Sequence, residues 1–403
     1  MPRNPGVPWP LVDRKTGYCM FDSYAIAAIA LVLLSSSYLV VAILGVRNFR
    51  SKLKAPESDR NWVPVTLLKP LCGMEVDLVE NLRSFCDQDY GTFQVIFGVR
   101  DSDDPVIEVV NGIIEEFPDH DISLVVNDRT IGSNLKVSNL ANMYEAARYD
   151  VVVIADSDMR VGRDYLKVVA LPFEKNEIGA ATCLYSGSAR GGLASKLGAM
   201  FINDWFFPSA LIPTMFGDLK FCFGATMAVR RDALQKMGSF EALANVLADD
   251  YMLGNLIAKQ GYRIALVPYI VENIVHEPGL KALFLHEVRW ARTIRSVQPG
   301  GYAMSTVTET LPLAVLASIL LYMSPSSPLL IASPVLCVLA LRLVLHGSVA
   351  GTVNGERTFS PWLVPLRDLF SFVVRICSFF GSKVHWREQV MVVQSNSHLQ
   401  NAR

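Results

Sequence analysis

The sequence predicts an α/β fold in which a mostly parallel, Rossmann-like sheet is wound as in nucleotide-binding folds. Three observations support this prediction. Short apolar runs alternate with amphipathic segments between residues 60 and 300. Acidic residues directly follow two of these runs. Long apolar segments stand before and after the region, so a water-soluble domain between membrane-associated elements is expected.

The predicted strands are short apolar runs, and the helices between them have apolar residues at three- and four-residue spacing. The strands are expected at 63–68, 93–99, 122–126 and 151–155, and the helices at 75–88, 104–117 and 135–147. Asp104 and Pro105 suit the first turn of the second helix. Strands that alternate with helices predict parallel pairing, and ligands of such sheets bind beyond the carboxyl ends of the strands.

An N-terminal tail, residues 1–24, precedes an apolar segment at 25–46 that is long enough to cross a ~30 Å hydrocarbon core. This segment begins too late and runs too long for a cleaved signal peptide, so a retained transmembrane anchor is predicted. Basic residues follow it at 47, 50, 52 and 54. The excess of positive charge on this side places the following domain in the cytoplasm.

Residues 309–382 are predicted to form membrane-embedded or interfacial helices. Apolar runs occupy 311–323 and 329–345 and are separated by the sequence SPSSP. A third run at 362–380 contains charged residues, which suits an interfacial or re-entrant helix better than a lipid-exposed span. Residues 383–403 are predicted to be a tail. Together these segments predict a multi-pass protein of the cell membrane.

Composition excludes several classes of protein. The formal net charge of −1 over 403 residues argues against a general nucleic-acid binder. The seven cysteines are odd in number and form no CxxC pair, which argues against a zinc site or a disulfide framework. The chain also contains no GxSxG, GxGxxG or GxxxxGK[ST] motif, so hydrolase-elbow, dinucleotide and P-loop sites are unsupported.

Asp156 and Asp158 follow a strand that is predicted to be buried. Alternate residues of an extended segment point to the same side, so the two carboxylates share a face and repel each other. Two hard oxygen donors suit Mg²⁺ or Mn²⁺, which keeps open positions for phosphate oxygens. A divalent metal ion that carries a diphosphate is therefore the expected source of compensating charge. The alternative is a solvated turn or a helix cap.

Five further positions carry residues suited to chemistry. Asp101 follows the second strand, and Asp250 begins a helix, where it could act as a general base or simply favour the helix start. Lys136 could neutralise phosphate or be a solvated lysine. Arg289 could bind a diphosphate, and Trp290 could pack at a boundary between sugar and apolar groups. Alternatively, the two residues could anchor the chain at the membrane interface.

Seven segments, taken in order, resemble the ceramide glucosyltransferases and the related bacterial hopanoid-biosynthesis-associated glycosyltransferases. They lie at 67–90, 97–105, 132–140, 155–160, 223–234, 247–254 and 289–295. The resemblance implies a GT-A fold at 60–300 and transfer, with inversion, of a hexose from a UDP-sugar to a hydroxyl of a membrane lipid. UDP-glucose with ceramide and UDP-N-acetylglucosamine with a hopanoid polyol both fit.

The resemblance also assigns roles to single residues. Asp250 matches the general base, Asp156 and Asp158 match a metal-binding DxD, and Arg289 and Trp290 match the end of a (Q/R)xxRW motif. The nucleotide site is assigned Pro70, Asp101, Lys136 and Asp156. His286 replaces the first residue of the (Q/R)xxRW motif, and no histidine lies between Asp158 and Asp250. These two departures from the eukaryotic members favour the bacterial, hopanoid-type branch.

Two other functions remain open from the sequence. A processive polysaccharide synthase shares the domain type but needs more membrane spans to form a channel. A non-catalytic, membrane-anchored protein that binds nucleotide-sugar or lipid would keep the fold without requiring Asp156, Asp158 and Asp250 together.

Overall fold

The computed structural model describes residues 14–53, 62–324, 326–353, 360–381, 383–386, 389–393 and 399–401. The first 13 residues of the predicted tail, and the basic residue at 54, lie outside these ranges. The described chain consists of an eight-stranded sheet with flanking helices, a set of apolar helices from both ends of the chain, and a small C-terminal sheet.

The large sheet has the strand order β3-β2-β1-β4-β7-β6-β8-β5. Its strands are β1 (Val65–Pro70), β2 (Phe93–Val99), β3 (Asp121–Val126), β4 (Val151–Ile154), β5 (Met159–Arg160), β6 (Ile178–Ala189), β7 (Met227–Arg230) and β8 (Arg263–Val275). The strands β3, β2, β1 and β4 are mutually parallel, as the sequence predicts. The second half is mixed, because β7 runs antiparallel to both β4 and β6 while β6 and β8 are parallel.

Helices cover both faces of the sheet. Successive side chains of each strand point to opposite faces, so one core forms on each face. Leu67 of β1 packs into one core and its neighbour Leu68 into the other. The flanking helices are α2 (Leu78–Cys86), α3 (Val106–Glu116), α4 (Leu135–Tyr144), α5 (Tyr165–Ala170), α6 (Leu193–Phe201), α7 (Phe207–Phe216), α8 (Arg231–Lys236) and α9 (Asp249–Lys259). A π-helical turn, Ile202–Phe206, joins α6 to α7.

The remaining helices are α1 (Arg14–Lys52), α10 (Leu280–Val297), α11 (Pro299–Met304), α12 (Thr310–Tyr322), α13 (Pro328–Ala350) and α14 (Val364–Ser378). Among the described residues, two helices are long and apolar enough to cross a membrane, Ser23–Lys52 and Pro328–Ala350. A third span exists if the pair Pro299–Thr308 and Thr310–Tyr322, which is bent by 64°, is counted as one. The C-terminal part of α1 packs through Leu39, Ala42 and Val46 into a core of the sheet domain.

Helix α14 has the reverse of the burial pattern found in water-soluble helices. All of its charged residues are buried and paired: Arg367 with Glu287 of α10 at 2.7 Å, Asp368 with Arg342 of α13 at 2.5 Å, and Arg375 with Glu309 at 2.6 Å. Its exposed face is apolar, and consists of Leu366, Leu369, Val373 and Ile376, followed by Phe380. This pattern indicates hydrocarbon outside the helix, since an apolar stripe is unfavourable in water.

Three short strands lie within residues 383–403, where the sequence predicts a tail. The described parts form a three-stranded antiparallel sheet of β9 (Lys383–Trp386), β10 (Gln389–Val393) and β11 (Leu399–Asn401). Valine and tryptophan in the first two strands favour extended structure. Arg292 and Arg295 of α10 donate to the backbone oxygens of Phe380 and Gly381, just before β9. The sheet therefore begins at a fixed point on the helix that carries the predicted Arg289 and Trp290.

We predict that the buried pair between Arg367 and Glu287 is essential for joining α14 to the sheet domain. Glu287→Ala leaves the Arg367 guanidinium buried without its carboxylate, so the free energy of unfolding falls by about 3–5 kcal/mol. The measurement is thermal unfolding of the detergent-solubilised protein. Glu116→Ala is the matched control, because it breaks a similar bond to Arg83 between half-exposed side chains and costs less than about 1 kcal/mol. Equal losses in the two variants would contradict the prediction.

Candidate active site

The predicted site residues gather where three parallel strands end. Because β1 pairs with both β2 and β4, the carboxyl ends of these strands lie side by side. Pro70 is the last residue of β1, Asp101 follows β2 by two residues, and Asp156 follows β4 by two residues. Three of the predicted positions therefore share one edge of the sheet.

Asp156 is held from two sides by lysines. Lys136 Nζ lies 2.6 Å from Asp156 Oδ1 and 3.4 Å from Asp249 Oδ2. Burial alone would lower the pKa of Lys136, but Asp156 and Asp249 raise it above its ordinary value. Asn134 fixes the start of the helix that carries this lysine, since its side chain caps α4 by accepting a hydrogen bond from Val137 N at 3.0 Å.

The second lysine, Lys69, was not predicted as a site residue. Its side chain is fully buried, its Nζ donates to the backbone oxygen of Asp156 at 2.5 Å, and it lies 3.7 Å from the ring centre of Phe85. Burial lowers the pKa of Lys69 to about 7, against the opposing effect of Asp156 and Asp158. The sequence signal for this residue is a lysine inside the apolar strand segment VTLLKP.

Asp250 faces the same space as Asp156, and Gly224 keeps that space clear. A Cβ atom on residue 224 would lie 3.3 Å from Asp250 Oδ2 and 3.6 Å from Asp156 Oδ2. Burial, and then the neighbouring Asp249, raise the pKa of Asp250 to about 7. The structure therefore brings two predicted carboxylates together, from positions 94 residues apart, around a gap that reacting groups could enter.

Asp158 lies beside this pair but is held separately. Its Oδ2 accepts a hydrogen bond from Asn273 of β8 at 2.8 Å. Burial, and then repulsion from Asp156, raise the pKa of Asp158 to about 7.

Asp101 is exposed at the same edge, where its Oδ1 accepts a hydrogen bond from the backbone N–H of Asp103 at 3.0 Å. A local turn thus holds Asp101, and its carboxylate faces solvent.

Arg289 and Trp290 lie on α10, and Trp290 packs against neighbouring aromatic rings. Trp290 packs against Phe201, with ring centres 5.7 Å apart, and against His286 at 4.2 Å. His286 Nδ1 is 2.7 Å from Glu277 Oε1, so this residue both pairs with a carboxylate and packs against the tryptophan. Burial lowers the pKa of Arg289, while Glu277 opposes that shift. Together with Phe206 and Tyr185, Trp290 packs against a small core of Ala199, Ile202 and Val275.

The site offers carboxylate oxygens as ligands for a divalent metal ion. Within the described ranges, no group of three or more His, Cys, Asp or Glu side chains is arranged to hold a metal. Mg²⁺ is commonly held by one or two carboxylates together with substrate phosphates and water, and not by a complete protein cage. Asp156 and Asp158 supply two such carboxylates, and the repulsion that raises the pKa of Asp158 is relieved by a cation. The residues therefore fit a metal that binds together with a diphosphate.

Comparisons with known proteins identify the family and the fold of this chain. The sequence profile of Glycosyl transferase family 21 matches residues 26–399. Ceramide glucosyltransferase 3 of Caenorhabditis elegans is 23% identical over 378 residues, which cover 91% of this chain and 80% of the relative. The ceramide glucosyltransferase of Komagataella phaffii is 33% identical over 135 residues, which cover 31% of this chain and 26% of that relative.

Among solved structures, the chain is similar to the mannosyltransferase PcManGT from Pyrobaculum calidifontis in complex with GDP-Man and Mn²⁺. The TM-score is 0.52 at 17% identity, and the match covers 89% of this chain and 99% of that one. A likeness at this identity establishes the fold. The chain therefore has a GT-A-like fold, and it belongs to Glycosyl transferase family 21.

Proposed function

We propose that the protein is an inverting glycosyltransferase that moves a hexose from a UDP-sugar to a hydroxyl of a membrane lipid, giving a β-linked glycolipid. The observation that carries this proposal is the convergence of Asp156 and Asp250 on the gap beside Gly224. Relatives named ceramide glucosyltransferases support lipid as the acceptor. The hexose is glucose or N-acetylglucosamine, and the lipid is ceramide or a hopanoid polyol. His286 favours the hopanoid-type branch.

The donor binds at the strand ends. Pro70 and Asp101 line the edge where the nucleoside is expected, and Lys136 supplies positive charge beside the diphosphate. Asp156 and Asp158 would hold a divalent metal ion, Mg²⁺ or Mn²⁺. When bound, this ion supplies further positive charge to the departing diphosphate. Lys136 is paired with Asp156 and Asp249 in the structure, so it is already positioned at the leaving-group side.

Asp250 acts as the general base. Its carboxylate accepts the proton of the lipid hydroxyl, whose oxygen attacks the anomeric carbon from the face opposite the diphosphate. The bond between the anomeric carbon and the phosphate oxygen breaks, and UDP departs with the electron pair. One such displacement inverts the anomeric centre. A pKa of about 7 suits a base that works near neutral pH. Arg289 and Trp290 are proposed to complete the leaving-group side and the boundary between sugar and lipid.

The enzyme is proposed to be a multi-pass protein of the cell membrane whose catalytic domain, residues 60–300, faces the cytoplasm. The two candidate spans and the inverted burial of α14 support membrane association. Arg47, Arg50 and Lys52 at the end of α1 support the orientation. Helix α14 has 15 residues and is about 22 Å long, short of a ~30 Å core, so it is proposed to lie in or along one leaflet.

The direct test incubates the purified protein with UDP-glucose or UDP-N-acetylglucosamine, a divalent metal and either ceramide or a hopanoid polyol. Mass spectrometry of the lipid is expected to show one added hexose, with UDP released in equal amount. Products with many sugars would identify a processive polysaccharide synthase. Binding of the donor without release of UDP would identify a non-catalytic protein.

Asp250→Asn is expected to lower the transfer rate by about 10²–10⁴-fold, because the amide cannot accept the proton. UDP binding, measured by calorimetry, is expected to be retained. The matched control is Asp103→Asn, which changes an exposed carboxylate of the turn beside Asp101. A variant at 250 that transfers sugar at the full rate would remove Asp250 from the role of base.

The pH dependence of kcat/KM for the acceptor is expected to follow the ionisation of Asp250. The pKa of this carboxyl is raised to about 7, so the fraction that can accept a proton falls as pH drops below that value. Activity should fall about tenfold per pH unit below about 7 and level off above it. A profile that stays flat from pH 5 to pH 8 would contradict this prediction.

Gly224→Ala is expected to lower transfer at least about tenfold, because the added methyl group enters the gap between Asp156 and Asp250. The unfolding temperature should change little, since the methyl contacts only the ends of side chains. Gly91→Ala is the matched control, because a Cβ atom at that glycine meets no atom within 4 Å. Equal activity of the two variants would show that the gap is not the reaction space.

A further inference from the structure

We infer that a layer of five aromatic rings beside Asp250 is the surface that holds the lipid acceptor, and that the π-helical turn Ile202–Phe206 connects this layer to the membrane helices. The inference rests on the proposed function and deepens it. It assigns acceptor recognition to residues to which the sequence patterns gave no role.

The aromatic layer is continuous. Its ring centres are separated by 5.4 Å for Tyr251–Phe221, 5.4 Å for Phe221–Phe223, 5.4 Å for Phe223–Phe206 and 4.5 Å for Phe206–Tyr185. Phe223 is buried, and the other four rings are partly exposed. The layer therefore presents apolar surface that is available to a ligand.

Two rings of the layer are chain neighbours of residues at the reaction gap. Tyr251 follows the proposed base Asp250 directly, and Phe223 precedes Gly224. At the other end, burial and then the charges of Asp250, Asp158 and Asp156 raise the pKa of the Tyr185 hydroxyl. A molecule lying on the rings would therefore have its polar end at the gap.

The chemistry of the layer suits the acceptor and not the donor. A diphosphate needs positive charge, which Lys136 provides from the α4 side of Asp156. Aromatic rings instead pack against hydrocarbon and alicyclic surfaces, and each ring offers a large apolar contact. Inversion also requires the acceptor oxygen to approach from the side away from the diphosphate. We place the acceptor on the layer because Phe223 and Tyr251 are the chain neighbours of Gly224 and Asp250.

The π-helical turn links the layer to a candidate membrane span. Asn203 bonds both backbone groups of Gly187 on β6, at 2.8 and 3.0 Å. Asp204 pairs with His346 of α13 at 2.9 Å, and Phe206 belongs to the aromatic layer. Turns of this kind are rare and occur often at functional sites. Neighbouring residues of one turn thus contact the sheet, the span and the acceptor surface, so a lipid beside α13 has a short route to Asp250.

The test measures transfer by the full-length protein in lipid nanodiscs at varied acceptor mole fraction. Phe206→Ala is expected to raise the acceptor KM at least about tenfold, because a large apolar contact is lost. The KM for the UDP-sugar and the slow hydrolysis of UDP-sugar by water should be unchanged. Phe206→Leu, which keeps an apolar side chain, should restore most of the acceptor affinity.

Phe93→Ala is the matched control, because Phe93 is a partly buried ring that packs against Tyr90 and His120 in the other core. If Phe206→Ala and the control have the same acceptor KM, the layer is not the acceptor surface and the proposed function still stands. If the wild-type protein transfers sugar to no lipid, the proposed function and this inference fall together. Should Phe206→Ala not fold, Phe221→Ala carries the same expectation.

Discussion

Repulsion among carboxylates is the physical constraint on which the site depends. Asp156, Asp158, Asp249 and Asp250 converge at one edge of the sheet. Burial, together with repulsion from neighbouring carboxylates, raises the pKa values of Asp158, Asp249 and Asp250. Such an arrangement is unfavourable unless positive charge is built in or brought by a ligand. Lys69 and Lys136 both contact Asp156. A cation that arrives with the proposed donor would compensate the remaining negative charge.

The two lysines divide this task by their depth. Lys69 lies beneath the cluster, where it bonds the backbone of Asp156 and fixes the direction of the chain after β4. Lys136 is less deeply buried, and in the proposed function it neutralises the diphosphate. Such pre-arranged charge requires little reorganisation when negative charge develops on the diphosphate.

The charged residues of α14 are also compensated by nearby opposite charges, here beside an apolar surface and not at a ligand site. Hydrocarbon cannot solvate charge, so Arg367, Asp368 and Arg375 turn inward and pair with partners on other helices. These pairs join α14 to the sheet domain and to α13. These pairs fix the edge that carries the carboxylates relative to the apolar helices, as the proposed transfer from a soluble donor to a membrane lipid requires.

Much of this could be predicted from the sequence, because the features concerned are local. The apolar runs predicted β1 to β4 to within two residues at each end. Strand β2 was predicted at 93–99 and is observed at Phe93–Val99, whereas β1 was predicted at 63–68 and is observed at Val65–Pro70. The positions of Asp101, Asp156 and Asp158 at strand ends, and of Asp250 at a helix start, follow from the same patterns. The anchor at 25–46 was also evident, although its helix extends further in both directions.

Tertiary structure alone decided the features that depend on contacts between distant residues. The antiparallel β7, the bond from Lys69 to Asp156 and the gap at Gly224 join segments with no mutual sequence pattern. The aromatic layer is of this kind too. Short-range spacing sets whether a segment is a helix or a strand, and which side chains it presents. Which segments then meet is set by packing of the whole chain, and that packing brought Asp156 and Asp250 together beside Gly224.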